Sequence, residues 1–68
     1  MEYEMKKINE TTGYVIRYIT YQIENYDGDE KKLEEFVKEL NEDSLFNITY
    51  RIKNKEKGII EETIDTLD

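Results

Sequence analysis

The sequence predicts a small α+β fold in two layers, a mostly antiparallel sheet with one amphipathic helix packed on one face. Three observations predict it. Leu33, Phe36, Val37 and Leu40 recur at the i, i+3, i+4, i+7 spacing of a single helical stripe. The stretch YVIRYITYQI, residues 14–23, is rich in the β-branched and aromatic side chains that fit a pleated surface. A third stretch, LFNITYRIK at 45–53, alternates apolar and polar residues as a half-buried strand does. The 68 residues make one small domain, 1–68, near the lower size limit of chains that fold alone. No cysteine is present to supply a disulfide framework or a thiolate metal site.

In chain order, the first segment alternates through Tyr3 and Met5 to Ile8, which reads as a short strand, and the polar cluster Asn9–Gly13 reads as a turn. Residues 14–24 form the strong strand, paired to the first as a hairpin. Because successive side chains point to opposite sides, Val15, Ile19, Tyr21 and Ile23 line one face and Tyr14, Ile16 and Tyr18 the other, so this strand is apolar on both. The segment Asn25–Asp29 breaks the pattern, and the helix follows over 29–41. Asp27 or Asp29 serves as N-cap, Asp27 having Glu30 three residues on in capping-box spacing, and Glu34 stands four residues before Lys38 as an ion pair requires. In the strand at 45–53, Phe46, Ile48, Tyr50 and Ile52 face the core, while Asn47, Thr49, Arg51 and Lys53 face solvent. Residues 54–58 turn. The tail, 59–67, fits a strand through Ile64 or a helix carrying Ile59, Ile60, Thr63, Ile64 and Leu67, giving the order ββαββ or ββαβα; the hairpin-like turn and the branched residues favour the strand. Neither outer strand shows an obvious device for closing its edge.

Ten basic and seventeen acidic side chains leave a net charge of -7. The charge is uneven: residues 1–24 sum to -1, 25–43 to -5, 44–57 to +3 and 58–68 to -4. An excess of this sign repels phosphate backbones and anionic membranes, so partners of either kind are disfavoured. No apolar run approaches the roughly 20 residues that cross a bilayer, and the acidic start MEYEMKKI is unlike a signal peptide. A soluble, cytoplasmic protein is the expectation, with the sequons at Asn9 and Asn47 coincidental. The absence of alanine and proline beside abundant Ile, Lys, Asn, Glu and Tyr suggests an AT-rich genome.

The candidate sites point away from catalysis. Without histidine or cysteine the usual general base and the best nucleophile are missing, and the paired acids Glu34/Glu35 and Glu61/Glu62 read as solvated surface. The Asp27–Glu30 cluster fails as a calcium loop: counted from Asp27, position 6 is Lys32 where glycine is needed and position 12 is Lys38 where glutamate is needed. No cofactor or metal is predicted. Tyr50 with Arg51, Lys53, Lys55 and Lys57 sketches a single-strand RNA platform, but Tyr50 shares the face of Phe46, Ile48 and Ile52 and reads as core.

What remains is the face of Tyr14, Ile16 and Tyr18. One helix covers one sheet face, and tyrosine suits an interface because its ring buries area while its hydroxyl stays wet. The sequence therefore predicts a non-enzymatic, acidic protein-binding module that inhibits or modulates a larger partner. The tyrosine face is its anchor and Glu34, Glu35, Glu39 and Glu42 form an acidic surface at its rim. In a variant, the carboxylates of residues 27–43 and 61–68 imitate nucleic-acid phosphates, and small acidic inhibitors encoded by viruses share this size and charge. The alternative is a self-assembling homodimer, joined face to face or edge to edge, with no regulatory role.

Overall fold

The computed structural model, which describes residues 2–66, makes the tail a strand and the order ββαββ. The elements are β1 (Met5–Thr12), β2 (Ile16–Ile23), α1 (Glu30–Asp43), β3 (Ile48–Asn54) and β4 (Ile59–Asp65). Leu67, the last residue of the helical alternative, lies outside the described residues. All pairings are antiparallel, and the strands lie side by side in the order β1-β2-β4-β3. Strands β2 and β3 therefore run parallel, and α1 carries the chain between them across β4. β2 and β4 hold the two central places, each hydrogen-bonded to a neighbouring strand along both edges.

Register separates the two faces. Tyr21 pairs with Ile60 and Ile60 with Ile52, and these residues pack with Ile23 against the helix. Leu33 and Val37 of α1 meet Ile23, Ile60 and Tyr3 in the core, with Phe36, Leu40, Tyr26 and Tyr50 packed around them. The opposite face carries the pairs Tyr18 with Thr63 and Thr20 with Glu61, and Arg51 beside Glu61. α1 lies on the other side of the sheet, so no second layer among the described residues covers this face.

Local chemistry sets the boundaries. Asp29, and not Asp27, caps the helix, its carboxylate accepting from the Lys32 amide at 3.1 Å; Asp27 instead accepts from the Asp29 amide and from the Tyr3 hydroxyl. No ion pair joins Glu34 to Lys38. The expected turn at Asn9–Gly13 is strand as far as Thr12. A bulge between Lys7 and Asn9 resets the register, and Glu10 is held by the Lys7 ammonium at 2.9 Å and the Arg17 Nε at 2.7 Å, so an edge strand keeps its polar residues. The second turn, 55–58, depends on Gly58, whose φ is +71° and whose missing Cβ would lie 2.6 Å from the Tyr26 ring.

The edges are not equally open. Asn41 of α1 receives the Tyr50 amide at 2.7 Å and donates to the Tyr50 carbonyl at 3.0 Å, and Ser44 donates to the Ile48 carbonyl. These bonds cap the outer edge of β3 at Ile48 and Tyr50, which the sequence did not advertise because the device sits on the helix. Among the described residues β1 has no strand beside its outer edge, but it bears the bulge and Lys6 and Lys7, all features that discourage strand addition.

Candidate functional site

Two four-residue turns at one end of the sheet set the most exposed apolar side chains. In the first, the Gly13 amide bonds the Ile16 carbonyl at 2.9 Å and Tyr14 occupies the second position. In the other, the Ile48 amide bonds the Leu45 carbonyl at 3.0 Å and Phe46 occupies the second position. A side chain at such a corner points off the sheet. Tyr14 is 104% exposed, Phe46 101% and Leu45 68%.

The end of β4 ties these turns together. The Asp65 amide bonds the Asn47 carbonyl at 2.8 Å on one side, and the Thr66 amide bonds the Val15 carbonyl at 2.7 Å on the other. Val15 and Asn47 therefore stand two strand spacings apart, about 10 Å, with Tyr14 and Phe46 beside them.

The sequence placed Tyr14, Ile16 and Tyr18 on one face, and the structure divides them. Ile16 and Tyr18 lie on the open face of β2, half-buried and 38% exposed respectively, whereas Tyr14 belongs to the turn before the strand. Phe46 is the residue that sequence reasoning misplaced. Its position in an alternating run made it core, but the strand begins at Ile48 and the turn ejects it. The signal was Asn47, a turn-forming residue inside that run.

The open face has its own electrostatics. Glu61, 5% exposed, accepts from the Arg51 Nη2 at 2.7 Å and lies 3.5 Å from the Lys53 ammonium; both cations remain largely in water. Glu62, 8% exposed, points to the helix side and accepts from the hydroxyls of Tyr21, at 3.1 Å, and Tyr50. Burial, and then the neighbouring Glu62 carboxylate, raise the pKa of both phenols. The pair read from sequence as solvated acid is thus buried, one residue to each face. Neither is available as part of a phosphate-like array. Among the described tail residues only Asp65 is an exposed acid, and Asp68 lies outside them.

The predicted acidic surface also divides. Glu35 and Glu39 line a groove between α1 and the N-terminal segment, while Glu34 and Glu42 are exposed on α1 outside it. No group of acids among the described residues is arranged to hold a metal ion. No described helix is long and apolar enough to cross a membrane. No family model, curated protein or solved structure matches the chain.

Proposed function

We propose that this chain is a non-enzymatic protein-binding module that docks on a larger partner by its aromatic end, inserting Tyr14 and Phe46, with Leu45, into pockets of that partner. The observation that carries the reading is the complete exposure of two aromatic rings on neighbouring turns. Left in water such rings gain nothing, and seated in pockets they are the side chains that dominate interface energetics. Ile16 and Tyr18 continue the surface onto the open face. The carboxylates of α1, including Glu34, Glu35, Glu39 and Glu42, steer a basic partner toward it. A cytoplasmic inhibitor or modulator of a larger protein fits this arrangement; phosphate mimicry rests on the helix carboxylates alone. Recognition of nucleic acid by the open face is disfavoured because Glu61 already engages Arg51 and Lys53.

Self-assembly is the weaker reading. The β3 edge is capped at Ile48 and Tyr50 by Ser44 and Asn41, and a joint of open faces has to take the solvated Arg51 and Lys53 side chains out of water.

The test compares the parent chain with a Tyr14→Ser, Phe46→Ser double variant. Both are used to capture cross-linked partners, and the partner identified is then titrated in pure form against each. Since neither ring packs in the fold, the two proteins melt together, while affinity falls about tenfold or more. Equal affinity rejects the reading. A concentration-dependent dimer of the parent in sedimentation equilibrium, dissolved in the double variant, transfers these rings to self-assembly.

A further inference from the structure

The groove beside α1 is built differently from the aromatic end. Its floor is Tyr3, Phe36 and Leu40, and its rim is Glu2, Glu35, Glu39 and Asp43. Two adjoining cavities of about 190 Å³ and 240 Å³ share Glu2, Tyr3, Phe36 and Glu39.

The N-terminal wall is fixed in place. The Glu4 amide bonds the Asn25 side chain at 2.8 Å, which in turn donates to the Glu2 carbonyl at 2.9 Å, and the Glu24 amide bonds the Glu4 carbonyl. The Tyr3 hydroxyl donates to Asp27 at 3.0 Å, and its ring packs edge-on against Phe36. Lys32, the one cation lining the groove among the described residues, is drawn to one end, its ammonium 4.8 Å from the Tyr3 ring centroid and 3.3 Å from Asp27. The four rim carboxylates have no ion-pair partner among the described residues.

We propose that this groove binds a basic segment of a partner protein, one in which lysine or arginine alternates with apolar side chains. The match is chemical. A lysine or arginine has an aliphatic stem and a cationic head, and the groove offers an apolar floor between carboxylates. An adjacent leucine adds to the buried area on Phe36 and Leu40. The groove runs along α1 from Lys32 to Asp43, about 16 Å at 1.5 Å per residue, room for a peptide of four or five extended residues.

The inference is independent of the aromatic end, and its test uses the intact chain. A blocked peptide, Leu-Arg-Leu-Arg, is titrated while backbone amide shifts are followed by NMR, with Gly-Arg-Gly-Arg as the probe of equal charge. The leucine peptide moves the amides of Tyr3, Phe36, Glu39 and Leu40 and binds about tenfold tighter than the glycine peptide. Glu35→Gln with Glu39→Gln weakens it about fivefold to tenfold. Glu34→Gln with Glu42→Gln removes equal charge from the same helix outside the groove and weakens it less than about twofold. Tyr14→Ser with Phe46→Ser leaves it unchanged. Equal losses for the two glutamate pairs, equal binding of the two peptides, or shifts spread over the whole helix overturn the proposal, because each reduces the effect to diffuse attraction by a chain of charge -7.

Discussion

Glu61 and Glu62 are neighbours on one strand, almost equally withdrawn from solvent, and they are accommodated by opposite means. On the helix side Glu62 takes two tyrosine hydroxyls and no cation. On the open side Glu61 takes two cations, each with its charged head still in water. The layers explain the difference. Under a helix, a lysine or arginine would itself need desolvation, whereas a tyrosine brings apolar area and a donor together. Where no layer covers the sheet, only long side chains of the next strand reach the carboxylate, and Arg51 and Lys53 do so with their stems along the surface. The two buried carboxylates in this chain therefore mark how a central strand carries acid on each face of the sheet. The most exposed apolar side chains lie at the turns of Tyr14 and Phe46.

The contrast between the faces is tested most severely by core truncation. Leu33 is fully buried beneath the helix-covered face. Leu33→Ala costs about 2–5 kcal/mol, whereas Tyr18→Ala on the open face costs less than about 1 kcal/mol. Urea denaturation of the three proteins measures both. Equal costs would mean that the open face is packed in solution as firmly as the core, which only a second copy of the chain can arrange in pure protein.

A smaller effect belongs to Glu62. Glu62→Gln keeps the shape but replaces one acceptor oxygen by a donor, leaving one tyrosine hydroxyl proton without its acceptor at a cost of about 1–3 kcal/mol. Burial first, and the carboxylate after it, hold the Tyr21 and Tyr50 phenols above their ordinary pKa of 10.0. The folded chain thus favours the neutral phenols. Their contribution to stability is whole below pH 10.0 and is lost as the pH rises through the raised values. In the glutamine variant, tyrosinate absorbance appears at lower pH than in the parent, though burial keeps it above that of free tyrosine. An unchanged titration curve would show that Glu62 does not govern these phenols.

The sequence made the architecture legible where periodicity is undisturbed. The helix stripe of Leu33, Phe36, Val37 and Leu40 appears as expected, the strand expected over 14–24 runs over Ile16–Ile23, and the branched residues after Gly58 form the strand that the turn implied. It failed where a tertiary partner overrides a local pattern. Polar residues at Asn9–Thr12 look like a turn until β2 is beside them, and Glu61/Glu62 look solvated until the partners on two other strands are known. The aromatic end was half legible. Tyr14 was read as interface for its chemistry, yet the turn that exposes Phe46 breaks the alternation that made it seem core. The edge closure by Asn41 was invisible, because an asparagine late in a helix carries no local sign of the strand it serves.

The smallest effect is the one that separates the two carboxylates most sharply. Glu61→Gln removes the charge facing Arg51 and Lys53, and because both cations stay in water the loss is about 0.2–1 kcal/mol. It also depends on salt. Between about 0.01 M and 1 M salt the Debye length contracts from about 30 Å to about 3 Å, so the gap between parent and variant narrows toward zero in urea denaturation run at the two concentrations. The gap for Glu62→Gln stays open across the same range, since hydroxyl bonds shielded by the helix side involve no second charge to screen. If Glu61→Gln instead costs as much as Glu62→Gln and ignores salt, its ion pairs are shut off from water. Something must then lie on the open face in solution. The distinction between a covered and an uncovered side of the sheet would fall, and Ile16 and Tyr18 would belong to a joint between copies of the chain instead of to the surface that continues the aromatic end.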